Sequence, residues 1–176
     1  EFPDCFIDKN TTRNYSMGSV FSHVLGYMGR ITKGDLESVV NYSSNDYIGK
    51  DGLEKQYESF LRGTPGRSQK SRDAFGRQGV EKNVLDPKHG GNLVLNIDEK
   101  LQKKVYDSLA DSIKNIGAKK GAAVALDPRS GAVLAIASYP SYDDNMFSGG
   151  ISKADFQNLQ NDSSYPLFNR AIAGQY

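Results

Sequence analysis

A serine placed beside a lysine is the pairing that would carry the clearest covalent chemistry in this chain. In a Ser-x-x-Lys motif the two side chains lie one helical turn apart, so the amine can take the hydroxyl proton and make the oxygen a nucleophile. None of the 18 serines has a lysine three residues later, and no Lys-Thr-Gly sequence occurs. Ser43-Ser44-Asn45 matches a Ser-x-Asn motif, but in a chain this rich in serine we attribute the match to chance.

Acidic and histidine side chains give no stronger signal. Asp143 and Asp144 are adjacent in a segment typical of a loop. Because neighbouring side chains usually point apart, we do not expect a general acid–base pair there. His23 and His89 lie far apart, with no Cys, His and Asp cluster at ligand spacing, and we interpret both as structural. The sequence therefore predicts no catalytic residue, no cofactor-binding residue and no metal ligand in this chain.

Charge and hydropathy exclude further classes of protein. The chain has 22 Lys and Arg against 21 Asp and Glu, a net charge of +1, whereas nucleic-acid binding needs a strong basic excess on one face. No apolar run approaches 18 residues, so no transmembrane helix is predicted. The single Cys5 excludes a disulfide within the chain. We interpret one group of basic residues as solvated surface: Arg67, Lys70, Arg72 and Arg77.

The elements at the start of the chain are short. Residues 1–31 are predicted to be extended, with Gly26 and Gly29 marking a bulge or a close approach of two backbones. Thr32, followed three residues later by Asp35, is typical of a capping box and predicts a short helix.

A stronger helix is predicted over residues 51–63. Tyr57 and Phe60 lie on its apolar face at helical spacing. Asp51 can cap its start, and Gly63 can adopt the left-handed conformation that ends a helix.

The polar, glycine-rich segment that follows is predicted to form twisted strands or hairpins, with alternation over residues 74–77. Residues 85–91 are typical of a turn and mark a domain boundary. Residues 92–98 are predicted as a strand, after which Asp98 caps an amphipathic helix that ends at Gly117. The apolar stripe of this helix comprises Leu101, Val105, Leu109, Ile113 and Ile116.

A hairpin is predicted from the apolar runs 122–126 and 132–137, which flank the turn residues 127–131. Because both of its faces are apolar, we expect it to lie in a central sheet with layers on each side. Ser152 is suited to cap a short helix after it. The last apolar residues are spaced by four, as on one helical face: Phe168, Ile172 and Tyr176.

Five blocks, in this order, resemble the class B penicillin-binding proteins of the elongation type. The resemblance covers residues 13–176, and the order and spacing of the blocks make it specific. The blocks are FSHVLGYMGRI (21–31), GKDGLEKQYESFLRGTPG (49–66), LVLNIDEKLQKKV (93–105), GAAVALDPRSGAVLAIASYPSYDDNMF (121–147) and PLFNRAIAGQY (166–176).

The resemblance implies an α+β chain in two parts. Residues 1–92 would be most of a partly extended, β-rich pedestal, or dimerisation-type domain, incomplete at its N-terminus. Residues 93–176 would be the N-terminal portion of a transpeptidase domain similar to the serine β-lactamases, with helices packed on an antiparallel sheet. Without the rest of that domain, we expect the hairpin to expose apolar surface and to favour association.

The resemblance also implies the activity of the parent protein, a peptidoglycan D,D-transpeptidase. A serine would attack a D-Ala-D-Ala stem peptide, form an acyl-enzyme and pass the acyl group to an amine; β-lactams would acylate the same serine. That serine is expected a few residues beyond Tyr176, so the chain alone would be inactive. No cofactor is expected.

Partners and location follow from the same resemblance. The parent protein would sit on the extracytoplasmic, periplasmic face of the bacterial membrane, on an N-terminal anchor that this chain lacks. Its pedestal would contact a membrane glycosyltransferase or other cell-wall elongation proteins. The alternative is a non-catalytic scaffold that binds membrane partners of the cell-wall machinery. A β-lactam sensor or β-lactamase is disfavoured because stand-alone β-lactamases lack the pedestal blocks.

Overall fold

The computed structural model describes residues 12–72 and 78–175. These residues form two compact units, one comprising residues 57–95 and the other the described residues before and after it. Short helices and two-stranded antiparallel sheets make up both units, so the α+β prediction is confirmed. No helix in the described part of the chain is long and apolar enough to span a membrane.

The larger unit begins with helical turns where the sequence predicted extended chain. A 3-10 helix, Gly18–Val20, leads into helix α1, Ser22–Leu25, and only β1, Met28–Arg30, is a strand. The prediction of extended structure is therefore wrong for residues 18–25. Positive φ angles at Gly18 and Gly26, 44° and 73°, reverse the chain at both ends of this helical stretch.

The predicted close approach at Gly26 is confirmed. A Cβ on this residue would lie 2.0 Å from the carbonyl oxygen of Asp51. This contact brings α1 against helix α3, Gly52–Gln56. Strand β1 pairs with β2, Tyr47–Gly49, in antiparallel register, with Met28 opposite Gly49.

Helix α2, Lys33–Ser38, has the predicted capping box. The main-chain nitrogen of Thr32 donates to Asp35 Oδ2 at 2.7 Å, and the Asp35 nitrogen donates to Thr32 Oγ1 at 3.3 Å. Lys50 forms an ion pair with the same carboxylate. Hydrogen bonds and this ion pair hold the pKa of Asp35 well below its usual range.

The single helix predicted over residues 51–63 is divided at Tyr57. Helix α3 ends at Gln56, and a separate helix α4 spans Glu58–Leu61. Tyr57 has φ −111° and ψ 21°, outside the helical region, and this conformation interrupts the helical hydrogen bonds. Gly63 has the predicted left-handed conformation, with φ 74°.

The smaller unit contains α4 and a hairpin of β3, Arg67–Arg72, with β4, Gln78–Leu85. The strands are antiparallel, as predicted for this segment, with two register shifts. The predicted alternation over residues 74–77 lies outside the described residues. The turn at 85–91 packs closely, because a Cβ on Gly90 would lie 1.8 Å from the Leu61 carbonyl oxygen.

Helix α5, Glu99–Asn115, packs on the hairpin of β5, Gly121–Leu126, and β6, Val133–Tyr139. Both the helix and the hairpin are confirmed. The helix is capped as predicted, since Asp98 Oδ1 accepts from the nitrogen of Leu101 at 2.8 Å. The predicted stripe ends at Ile113, because Ile116 is 76% exposed.

The strand predicted over residues 92–98 is wrong. These residues form no strand in the structure. One main-chain bond joins the end of this segment to β6, from the nitrogen of Asp98 to the carbonyl of Leu134 at 3.0 Å. The neighbouring main-chain groups of Ile136 are taken by the Gln102 side chain, so the pairing does not extend into a ladder.

The hairpin is covered on one side. Ala135 and Ala137 of β6 are buried, whereas Val124 and Leu126 of β5 are 47% and 56% exposed. The predicted exposure of apolar hairpin surface is thus observed in this chain. The Asp127 turn is closed by Gly131 with φ 74°.

After a cis peptide bond between Tyr139 and Pro140, a second 3-10 helix spans Asp144–Phe147. Helix α6, Lys153–Asn161, has the predicted Ser152 cap. Helix α7, Arg170–Ala173, is one turn long. The predicted apolar face there is not buried: Phe168 and Ile172 are both exposed, and Tyr176 lies outside the described residues.

Candidate functional site

The structure brings the N-terminal residues 13–27 against β6 and residues 140–174, and we call this region the junction. All of it lies within the larger unit. Main-chain groups, held by a few buried polar side chains, form most of its contacts.

Gln102 of α5 bonds to the junction from the neighbouring helix and has no exposed surface. Its Nε2 donates to the carbonyls of Val20 and Ile136, both at 2.8 Å. Its Oε1 accepts from the nitrogen of Ile136 at 2.8 Å. One side chain therefore satisfies both backbone groups of a β6 residue and ties the first 3-10 helix to the same point. Sequence analysis missed Gln102, because a glutamine beside an apolar stripe is usually exposed.

Ser138 holds the chain that follows α6 against the same edge of β6. Its hydroxyl donates to the carbonyl of Phe168 at 3.3 Å and accepts from the nitrogen of Arg170 at 3.0 Å. Both Ser138 and Arg170 are buried. The start of α7 is thereby fixed to β6 at one residue.

Arg170 also fixes the loop that precedes it. Its guanidinium donates to the carbonyls of Phe168 and Tyr165, both at 3.1 Å, and to that of Ser164. Because carbonyl oxygens satisfy a buried guanidinium only when they converge on it, the loop is folded around this side chain.

His23 of α1 joins the N-terminal residues to this loop. Its Nε2 lies 2.9 Å from the carbonyl oxygen of Pro166, and since a carbonyl can only accept, Nε2 carries the hydrogen. Asn169 Nδ2 donates to the carbonyl of His23 at 3.1 Å. Burial lowers the pKa of His23. His89, the other histidine, is exposed in the smaller unit.

An aromatic cluster fills the space beneath α1. The rings of Tyr27 and Phe147 stack with centroids 3.8 Å apart, and Tyr142 meets His23 edge to face at 5.5 Å. The Tyr142 hydroxyl donates to the carbonyl of Ser22 at 3.2 Å, and burial raises its pKa. The cluster excludes water from the main-chain contacts around it.

Tyr15 and Asn145 make the link at the other end of the junction. The Tyr15 nitrogen donates to Asn145 Oδ1 at 2.9 Å, and Asn145 Nδ2 donates to the Tyr15 carbonyl at 2.8 Å. The Tyr15 hydroxyl donates to Glu54 Oε1 at 3.3 Å. Arg13 forms an ion pair with that carboxylate, at 2.9 Å from its Nε.

The adjacent acids Asp143 and Asp144 point apart, as expected from the sequence. Asp143 accepts from both nitrogens of Asn145. Asp144 is fully buried, and burial raises its pKa to about 7. This burial could not be predicted from the sequence, because a charged residue in a polar loop is ordinarily solvated.

The junction places no nucleophile beside a base. Its buried serines, Ser22 and Ser138, bond to main-chain groups, and Ser43 to Asn45 lie in an exposed turn. Among the described residues no group of three His, Cys, Asp or Glu could hold a metal. An open groove of about 460 Å³ borders the junction, lined by Lys120, Tyr165, Phe168, Arg170 and Ala173 among others. The arrangement can fix a segment of chain in place.

Comparisons with known proteins extend over the whole chain. Residues 1–95 match the Penicillin-binding Protein dimerisation domain. The peptidoglycan D,D-transpeptidase MrdA of Acinetobacter baumannii is 39% identical over 178 residues, covering 100% of this chain and 25% of the relative. The protein of the same name from Escherichia coli K12 is 37% identical, covering 99% of this chain and 28% of the relative.

Solved structures give a consistent result. Pseudomonas aeruginosa PBP2, in complex with WCK 5153, matches with a TM-score of 0.72 and 36% identity, covering 93% of this chain and 31% of that one. Helicobacter pylori PBP2, in complex with MreC, matches with a TM-score of 0.75 and 35% identity, covering 90% of this chain and 29% of that one. The chain spans about a quarter of the length of the curated relatives it matches.

Proposed function

Because the chain belongs to the penicillin-binding proteins that contain the dimerisation domain, we propose that it is part of a peptidoglycan D,D-transpeptidase that cross-links the cell wall. One observation carries the proposal. The match to the protein of that name from Acinetobacter baumannii runs through the entire chain at 39% identity, well beyond the dimerisation domain alone.

The reaction we propose for the whole protein is acyl transfer through a serine. The serine hydroxyl attacks the carbonyl of a D-Ala-D-Ala stem peptide, the terminal D-Ala leaves, and an amine from a second stem peptide takes the acyl group. A lysine would take the serine proton, and main-chain N–H groups would stabilise the oxyanion. No Ser-x-x-Lys sequence occurs in residues 1–176, so we place the nucleophile outside this chain.

Within that protein we assign residues 1–92 to the pedestal and residues 93–176 to the beginning of the transpeptidase domain. The family match over residues 1–95 supports the boundary. The junction would then connect the two parts. Its contacts to residues 164–174, through His23, Ser138 and Arg170, would hold the chain that leads towards the nucleophile.

A fluorescent penicillin tests this proposal. The 176-residue chain and a longer chain that continues to the third sequence motif of the family would be incubated with the label and separated under denaturing conditions. We expect covalent labelling of the longer chain alone, and its loss when unlabelled penicillin is added first. Labelling of the 176-residue chain would show that the nucleophile has been misplaced, and failure to label both would contradict the transpeptidase assignment.

A scaffold that recruits cell-wall proteins is the second candidate. It is favoured by the related Helicobacter pylori protein, which has been solved in complex with MreC. For this chain we propose a membrane-associated elongation protein as partner, contacted on the periplasmic side of the cytoplasmic membrane. In the full-length protein, replacing the serine of the Ser-x-x-Lys motif by alanine separates the two functions. A catalyst loses cross-linking and keeps its partners, whereas a scaffold retains its cellular function.

A further inference from the structure

We propose that the protonation of Asp144 controls a contact between two segments, and we call this residue the latch. While the Asp144 carboxyl group is protonated, the second 3-10 helix, Asp144–Phe147, packs against residues 13–20. When the carboxyl group is ionised, the two segments separate. The latch is independent of the transpeptidase chemistry, since it concerns only how these two segments of the larger unit are held together.

The position of Asp144 is the first support. Its side chain has no exposed surface, and neither carboxyl oxygen has a hydrogen-bond partner among the described residues. Asn145, the next residue, exchanges two hydrogen bonds with the main chain of Tyr15. A Cβ on Gly18 would lie 3.0 Å from Asp143 Oδ1, so the two segments are in close contact. The acid is therefore buried where the segments meet.

The charges around Asp144 are the second support. Burial raises the pKa of Asp144 most, and repulsion from the preceding Asp143 and from Glu54 of α3 adds to it, while the main-chain nitrogens of Asp144 and Asn145 lower it in part. Tyr15 and Tyr142 are the other titratable groups that interact with it, and their own pKa values are raised in part by Asp144. The nearest cation on the facing segment, Arg13, is in an ion pair with Glu54. An ionised Asp144 would thus add negative charge to a buried site that is already acidic.

The pH range in which the latch opens follows from the pKa of Asp144 in the folded and opened states. The ordinary pKa of the Asp144 carboxyl is 3.8, and in the folded chain it is about 7. The folded state therefore holds one more proton than the opened state between these values, and its stability falls as pH rises. Between about pH 4 and pH 7 each unit should increase the opened population about tenfold, and above about pH 7, where the carboxyl is ionised in both states, the dependence levels off.

Amide hydrogen exchange in the 176-residue chain tests the latch. The amides of Val20 and Phe21 report on it, since they are bonded to the carbonyls of Met17 and Gly18. After correction for intrinsic rates, their protection should fall about tenfold between pH 5 and pH 6 and change little above about pH 7. In Asp144→Asn, which cannot ionise, the protection of these amides should not change with pH. The matched control Asp111→Asn, at an exposed position of α5, should behave like the unaltered chain.

A parallel loss of protection in Asp144→Asn and the unaltered chain would overturn the proposal. The ¹³Cγ resonance of Asp144 provides a second measurement that needs no variant. A titration midpoint near 7 supports the latch, and a midpoint at the ordinary value near 3.8 overturns it, even if Asp144→Asn does not fold. Recovery of protection at pH 8 on adding Mg²⁺ would also overturn it, because the carboxylate would then be a cation ligand.

Discussion

Gln102 and Ile136 exchange two hydrogen bonds, each of 2.8 Å, so that a helix side chain takes the place of a neighbouring strand at the edge of β6. A third bond from the same amide reaches the carbonyl of Val20. The first helix of the C-terminal part of the chain thereby links the N-terminal residues to the hairpin.

Replacing Gln102 by Leu should destabilise the chain by about 3 kcal/mol, because buried main-chain groups of Ile136 and Val20 would lose their partners. Urea unfolding followed by circular dichroism measures the effect. Gln157→Leu, at an exposed position of α6, is the matched control and should be close to neutral. Equal stability of the two variants would mean that water or a shifted helix replaces the amide.

Replacing Ser138 by Ala should release the chain around Arg170. We expect a loss of about 1–2 kcal/mol from the hydrogen bond that the Arg170 nitrogen donates to Ser138, and faster trypsin cleavage after Arg170, which is buried in the unaltered chain. Cleavage after the exposed Arg129 serves as the internal reference and should not change. Ser112→Ala, on the exposed surface of α5, should leave both cleavage rates as they are. An unchanged rate at Arg170 in Ser138→Ala would show that other contacts hold this loop.

The low pKa of His23 predicts sensitivity to acid. Burial disfavours the charged imidazole in the folded chain, so the unfolded state binds more protons and stability falls as the pH drops below the ordinary histidine value of about 6.5. His23→Gln retains a donor for Pro166 and cannot ionise in this range. Protonation of Asp144 has the opposite effect, and the same one in both chains, over this range. We therefore expect the change in urea midpoint from pH 7 to pH 5.5 to be more favourable in His23→Gln than in the unaltered chain. His89→Gln, at an exposed site, should follow the unaltered chain; the same change in His23→Gln and the unaltered chain would show that His23 does not contribute to acid sensitivity.

Replacing each of two glycines by alanine should change the stability of the chain in opposite directions. At Gly26 the backbone has φ 73° and a Cβ would lie 2.0 Å from the Asp51 carbonyl oxygen, so Gly26→Ala should cost on the order of 3–5 kcal/mol or prevent folding. At Gly34 in α2 no atom lies within 4 Å of the added Cβ, and Gly34→Ala should stabilise by about 0.5–1 kcal/mol. Thermal unfolding compares them. A tolerated Gly26→Ala would imply that α1 can move away from α3.

Local patterns predicted the elements whose causes are local. The caps at Thr32, Asp98 and Ser152 depend on residues three positions apart, and the hairpin depends on its own turn, so spacing alone identified them. The prediction was wrong where contacts between residues distant in the sequence determine the local structure. Residues 18–25 form helical turns because Gly18 and Gly26 reverse the chain, and residues 92–98 form no strand because the Gln102 side chain takes the main-chain groups of Ile136.

The residues of the junction could not be predicted for the same reason. The partners of Gln102 at Val20 and Ile136 are 82 and 34 residues away, and those of Asn145 are 130 residues away. A polar side chain in the sequence gives no sign of a buried partner at such a separation. The resemblance to a family could be recognised without these contacts, because it rests on the order of the blocks.

The two edges of the β5–β6 hairpin differ in their capacity to accept another strand. Along β6, the carbonyl of Leu134 and both main-chain groups of Ile136 are occupied by the beginning of α5. Along β5, no main-chain hydrogen bond from another described element reaches Ala122 or Val124. Because strand addition needs free N–H and C=O groups, this sheet can grow in one direction only. We therefore expect a strand added to this sheet to pair beside β5.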